Sequence, residues 1–264
     1  MFIDINAYIG HWPFRNLKYN TLEGLDKMAS EYGVTHMIVA NINGFFYKDA
    51  NMANLELLEE LENYKGTTTF IPFAMVNPTY PCWEDDARDM IAKGFKGFEI
   101  APLYHRYGLP KEDGMRDMSA ARKVFALADE LGVPVRISSS IENYRGRNEN
   151  DTYMNVEASD YVQLLSYKPN VPVFMTGFHP LASNAALREM LKERTNTYFD
   201  MTQYEGFSVG ANASIFKVIG RDQLCFGSMS PFNYMEVALL RAALAPGIDF
   251  EIVKTNPAKA FPWI

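Results

Sequence analysis

Eight short runs of apolar, β-branched and aromatic residues recur along the chain, and helical patterns separate them. The runs cover residues 2–7, 34–40, 69–76, 95–101, 133–138, 171–176, 197–201 and 223–227. Several show little polar alternation, as expected of parallel strands covered on the outside by helices. Between them, residues 22–32 carry apolar side chains at 22, 25, 28, 29 and 32, and residues 54–64 carry Leu55, Leu57, Leu58 and Leu61. A third pattern opens at Ser119, a natural N-cap, and stops at Gly132, a natural C-cap. Further helices are expected over 184–194, 212–219 and 234–244, with a short closing helix near 257–261.

Strand followed by helix, repeated, implies parallel strands joined by right-handed crossovers. Eight repeats close into a barrel of about 250 residues, and the chain has 264. The expected fold is therefore an α/β (β/α)8 TIM barrel, with residues 1–264 as one domain. A doubly wound open sheet is the alternative, but it would need a Gly-rich phosphate loop after an early strand, and no GxGxxG or P-loop occurs. Two strand-to-helix connections are long, 103–118 and 139–156. Both follow the C-terminal ends of strands, the rim where barrels of this kind carry their sites. Their aromatic and arginine residues favour a lid over disorder.

Composition narrows the function classes. The net charge of −7 argues against non-specific binding to nucleic acid or to an anionic membrane surface. No apolar run reaches the roughly 18 residues of a membrane span, and no basic region with an apolar stretch opens the chain, so a cytoplasmic location is expected. Cys82 and Cys225 form no CxxC pair and read as two thiols.

The block Ile3-Asp4-Ile5-Asn6-Ala7-Tyr8-Ile9-Gly10 resembles the Ile-Asp-x-His-x-His-x-Gly opening of the amidohydrolase superfamily. The resemblance continues through Gly94–Ile100, Leu131–Ser138, Pro172–His179, Tyr198–Thr202, Leu224–Pro231 and Asn256–Phe261, so it spans nearly the whole chain. The branch of the superfamily that includes decarboxylases and lactone hydrolases is the better fit. The resemblance implies a metal-dependent hydrolase fold with a catalytic metal at the rim. At the five positions that would hold it, however, the chain carries Asn6, Tyr8, Ser138, Gly177 and Met229. Asn6 offers a neutral oxygen, Tyr8 would have to lose a proton with an ordinary pKa of about 10, Ser138 is a weak neutral ligand, Gly177 has no side chain and Met229 is a soft thioether. The metal site reads as degenerate, and no cofactor is expected. The alternative is a rebuilt zinc or other divalent site on Glu99, His179, His11 or Asp200.

Two functions remain. One is a metal-independent enzyme, a hydrolase or lyase, acting on a small carboxylate-bearing molecule. Glu99 and His179 would exchange protons, Asn6 and Tyr8 would donate hydrogen bonds, and Arg15 would orient an anionic group. His11, Ser138 and Met229 complete the expected binding residues. The other is a non-catalytic pseudoenzyme that binds a small molecule or a protein partner. A homo-oligomer is compatible with either. Asp4, Asn6 and Tyr8 share one parity and should face the barrel interior, where Arg136 is a candidate partner for Asp4. His36 reads as structural and His105 is left open. Trp12, Phe45, Phe46, Tyr47 and Tyr104 are expected to wall an apolar pocket.

Overall fold

The computed structural model describes residues 1–110, 116–139, 141–142, 147–151, 156–177, 184–200, 220–245, 247–261 and 263–264. His179, Met201 and the helix expected over 212–219 lie outside the described residues.

Eight strands lie side by side in chain order: β1 (Ile3–Ile9), β2 (His36–Asn41), β3 (Thr69–Met75), β4 (Gly97–Ile100), β5 (Val135–Ser138), β6 (Val173–Thr176), β7 (Thr197–Asp200) and β8 (Leu224–Cys225). Every neighbouring pair is parallel. The Ile5 N–H donates to Phe226 O at 3.0 Å and the Tyr8 N–H to Ser230 O at 2.8 Å, which brings the last strand round to the first. The described helices are α1 (Leu22–Tyr32), α2 (Asn51–Asn63), α3 (Trp83–Ala92), α4 (Ala121–Leu131), α5 (Ala158–Ser166), α6 (Ala185–Glu193), α7 (Met235–Leu244) and α8 (Phe250–Thr255). The expected (β/α)8 TIM barrel is the observed fold.

The expected helices miss α3, α5 and α8. In α3 only Ala87 and Met90 are buried, so its apolar period is faint, and Glu84, Asp85 and Asp86 support its first turn through the helix dipole. In α5 the start is set by a capping box, with the Glu157 N–H donating to the Asp160 carboxylate at 2.7 Å. Ser119 does not cap α4, which begins at Ala121 after a helical Ala120. Gly132 does end it, at φ 68°, with its N–H on Ala128 O. No described helix is long and apolar enough to cross a membrane.

The barrel interior is layered. At the N-terminal end, Ile3, Ile5, Ile38, Ile71 and Phe73 pack with Phe174, and Phe261 from the closing turn stacks on Phe174 at 5.7 Å between centroids. At the C-terminal end, Tyr8, Ala40, Met75 and Ala101 pack under Trp12, Phe45, Met229 and Phe232. A polar belt that includes Glu99, Arg136 and Ser138 lies between.

One irregularity sets that belt. The β1–β2 register runs Asp4↔Met37 and then Ala7↔Val39, so β1 carries one extra residue across the step. Ile3 and Ile5 therefore belong to the interior plug, while Ala7 and Ile9 belong to the layer facing the helices. The alternation expected along β1 breaks at this bulge. Asn6 and Tyr8 point inward, and Asp4 falls out of phase with them.

The belt also needs Gly97. A Cβ there would lie 2.5–2.7 Å from three ring atoms of Phe73, a distance that forces the ring to move. Gly97→Ala should lower stability by about 1–3 kcal/mol, as overpacking does in other cores, measured by chemical denaturation.

Candidate functional site

The bulge leaves buried carbonyls that must find donors. Arg136, from β5, supplies them across the barrel: its Nη1 donates to Ile5 O at 2.9 Å and to Ile38 O at 3.0 Å. Its Nε pairs with the Glu99 carboxylate. Its Cζ lies 4.8 Å from the Tyr8 ring centroid and 5.7 Å from that of Phe73. Both partners of the pair are fully buried. Burial opposes the charge on Arg136, yet the adjacent Glu99 carboxylate carries its pKa above the ordinary value, so the guanidinium stays charged.

Arg136 thus does not pair with Asp4, as parity had suggested. Asp4 accepts instead from the backbone N–H groups of Asn6 at 2.9 Å and Ser228 at 3.0 Å, and from the Ser228 hydroxyl. Burial nonetheless raises its pKa to about 6.

Glu99 is not a free base. Its Oε2 is held by Arg136, and its Oε1 accepts from Ser138 Oγ at 2.5 Å and from Tyr8 Oη at 3.4 Å. Burial pushes its pKa up, against Arg136, Ser138 and Tyr8, which favour the carboxylate. Tyr8 Oη and Ser138 Oγ are 2.6 Å apart. Burial, then the Glu99 charge, push the Tyr8 phenol far above its ordinary pKa, so it stays protonated and acts as a donor. Asn6 turns its Nδ2 to Asp200 Oδ2 at 2.6 Å, and Asp200 Oδ1 accepts from the Gly177 N–H at 3.0 Å.

The structure therefore gathers Asn6, Tyr8, Glu99 and Ser138 in one belt, with Met229 buried in the cap above it at a left-handed φ of 57°. Two expected residues stand apart. His11 is exposed and is held by its backbone N–H on Asn43 Oδ1 at 2.8 Å. Arg15 binds Glu142 at 2.5 Å and Phe232 O at 2.9 Å, so its carboxylate partner lies within the chain. That pair ties the loop after β1 to the loop after β5. His105 is also settled: it is buried, its Nε2 lies 2.9 Å from Gly44 O, and burial lowers its pKa to about 4.

The cap over the belt is aromatic, but the rings expected to wall a pocket pack on one another, and Tyr47 stands apart, exposed, with its hydroxyl donating to Glu56 Oε1 at 2.8 Å. Trp12 is 1 % exposed and meets Phe14, Phe46, Tyr104 and Phe232 edge-on at 4.9–6.2 Å. Phe45 and Tyr104 stack at 4.9 Å. Arg136 and Asp200 are the belt residues whose roles the motif comparison missed. A charged residue in the otherwise apolar run 133–138 was the available signal for Arg136.

The motif resemblance implies a divalent metal, and the described residues at its positions do not fit one. Tyr8 is held protonated, Asn6 presents its amide N–H₂ to Asp200, and Glu99 is already ion-paired. No group of three or more His, Cys, Asp or Glu among the described residues can hold a metal ion.

Two measurements follow. Arg136→Met should destabilise the chain by about 3–5 kcal/mol, because Glu99 is left buried and unpaired; Arg136→Met/Glu99→Gln should recover much of that loss on denaturation. The raised pKa of Asp4 contributes stability that is full below about pH 4 and is lost as pH rises through about 6. Asp4→Asn should flatten the stability profile between those limits by about 3 kcal/mol, at 1.36 kcal/mol per pKa unit.

No family model matches the chain, and no curated protein matches it in sequence. Solved structures do match. A dihydroxybenzoic acid decarboxylase from Polaromonas sp. JS666, with bound manganese and the inhibitor 2-nitroresorcinol, superposes with a TM-score of 0.69 at 14% identity, over 99% of this chain and 96% of that one. A 5-carboxyvanillate decarboxylase from Sphingomonas paucimobilis gives 0.64 at 13% identity over 99% and 98%. A probable 2-pyrone-4,6-dicarboxylic acid hydrolase from Acinetobacter baumannii, with citric acid bound, gives 0.65 at 15% identity over 99% of both chains. The matching structures also include a putative amidohydrolase from Staphylococcus aureus, and what this chain shares with these proteins is the TIM-barrel fold over nearly its whole length.

Proposed function

We propose that the chain acts on a small carboxylate-bearing molecule at the C-terminal rim of the barrel, by proton transfer and without a divalent metal ion. One observation carries the reading: the Glu99–Arg136 pair, joined to Tyr8 and Ser138, makes a preorganised polar centre beneath the rim. The neighbours named above support the substrate class, since two are decarboxylases of aromatic acids and one is named for a dicarboxylic acid.

In this reading Tyr8 and Ser138 form a relay. A proton taken from the substrate reaches Glu99 Oε1 through their hydroxyls, and the neighbouring guanidinium compensates the carboxylate charge whenever the proton is away. His179 is the second member of the acid/base pair. Asn6, held by Asp200, donates to the substrate. Arg15 orients the substrate carboxylate by exchanging Glu142 for it, and His11 and Met229 border the approach.

A binding protein without turnover is the second reading. The cap favours it, because Trp12, Met229 and Phe232 bury the belt almost completely. One experiment separates the two. Chain produced in metal-replete medium should carry no stoichiometric zinc or manganese by elemental analysis. Aromatic mono- and dicarboxylic acids should perturb its tryptophan fluorescence equally with and without EDTA. Turnover that falls about 10²–10⁴-fold in Glu99→Gln marks the enzyme. Binding without turnover marks the second reading, and stoichiometric metal overturns both.

A further inference from the structure

The guanidinium of Arg136 has three separate holds. It pairs with Glu99 through Nε, spans the carbonyls of Ile5 and Ile38 through Nη1, and lies against the rings of Tyr8 and Phe73. Nη2 is buried and has no hydrogen-bond partner among the described residues, as expected of an edge packed among rings. The holds connect β5 to β4, to both strands at the bulge and to the phenol above.

We propose that Arg136 is a positioning residue that acts as the built-in cation of this barrel: it sets Glu99, Tyr8 and Ser138 in place, and its charge makes the site refuse a divalent ion even when imidazoles are put back at positions 6 and 8. This deepens the metal-free reading and rests on it. Three features support it. Glu99, the carboxylate nearest Tyr8, is committed to Arg136 and is unavailable as a ligand. A guanidinium does not deprotonate in a protein, so no pH change clears the charge. The charge is also immobile, because the carbonyls it caps belong to the bulge that turns Asn6 and Tyr8 inward. The replaced metal positions and the interior arginine are then one adaptation, and restoring histidines alone does not reverse it.

The test is zinc uptake in histidine-restored chains, read by calorimetry and elemental analysis with folding followed by circular dichroism. Asn6→His/Tyr8→His, with Arg136 intact, should take up no stoichiometric zinc. Adding Arg136→Gln, which keeps amide donors for Ile5 O and Ile38 O but removes the charge, should tighten zinc binding at least a hundredfold. Adding Arg136→Lys instead, which keeps a charge but loses the planar fork, should leave zinc refused; a merely structural arginine would not separate Gln from Lys in this way. If the Gln variant folds only when zinc is supplied, that too is the expected result, because the ion replaces the lost charge. Zinc bound equally well with and without Arg136, or by neither protein, overturns the proposal. The Arg136-retaining chain can overturn it alone, whatever the folding of the neutral variant. Stoichiometric zinc in the unmutated chain would instead overturn the metal-free reading, and neither outcome depends on carboxylate binding.

Discussion

A buried carbonyl has to be hydrogen-bonded, and where the strand ladder does not do it another group must. The one-residue bulge in β1 breaks the ladder to β2 and frees Ile5 O and Ile38 O at the centre of the structure. Arg136 satisfies both. Once a guanidinium is buried there, it needs a counter-charge, and Glu99 provides it from the neighbouring strand. Glu99 in turn needs donors for its other oxygen, and Ser138 and Tyr8 provide those. The belt is a chain of such obligations, each created by the one before.

This order explains why the fold was legible and the site only partly so. The strand runs are a local, apolar signal, and all eight strands lie within or against their expected runs. The inward placement of Glu99, Arg136 and Ser138 also followed from period-two alternation. The bulge did not, because no glycine marks it: Ile5 and Asn6 are ordinary strand residues, and the extra residue shows only in the pairing to β2. Missing it put Asp4 in phase with Asn6 and gave Arg136 the wrong partner. The helices α3 and α5 were missed for a different reason. Their starts rest on acidic first turns and a capping box, while their apolar stripes are short.

Fold and chemistry consequently carry different weight here. Superposition over 99% of the chain at 13–15% identity reports how the backbone is layered. It does not report what stands at the centre of the layers, where a fixed organic cation and a phenol held protonated make a different electrostatic environment from that of an ion with open coordination positions.

The contacts that define the interior are also far apart along the chain. Asn6 meets Asp200 across 194 residues, Asp4 meets Ser228 across 224, and the plug at the opposite end sets Ile3 and Ile5 in one cluster with Phe261. β1 is synthesised well before β7 and the turn after β8, so its bulge and the Asp4 carboxylate wait for their partners. Its counterparts are made only with the last quarter of the sequence. Loop-closure entropy weighs against such contacts until many others exist. Until then β1 lacks its neighbour on one side, and it stays exposed for longer than the strands that follow it, in need of protection from aggregation.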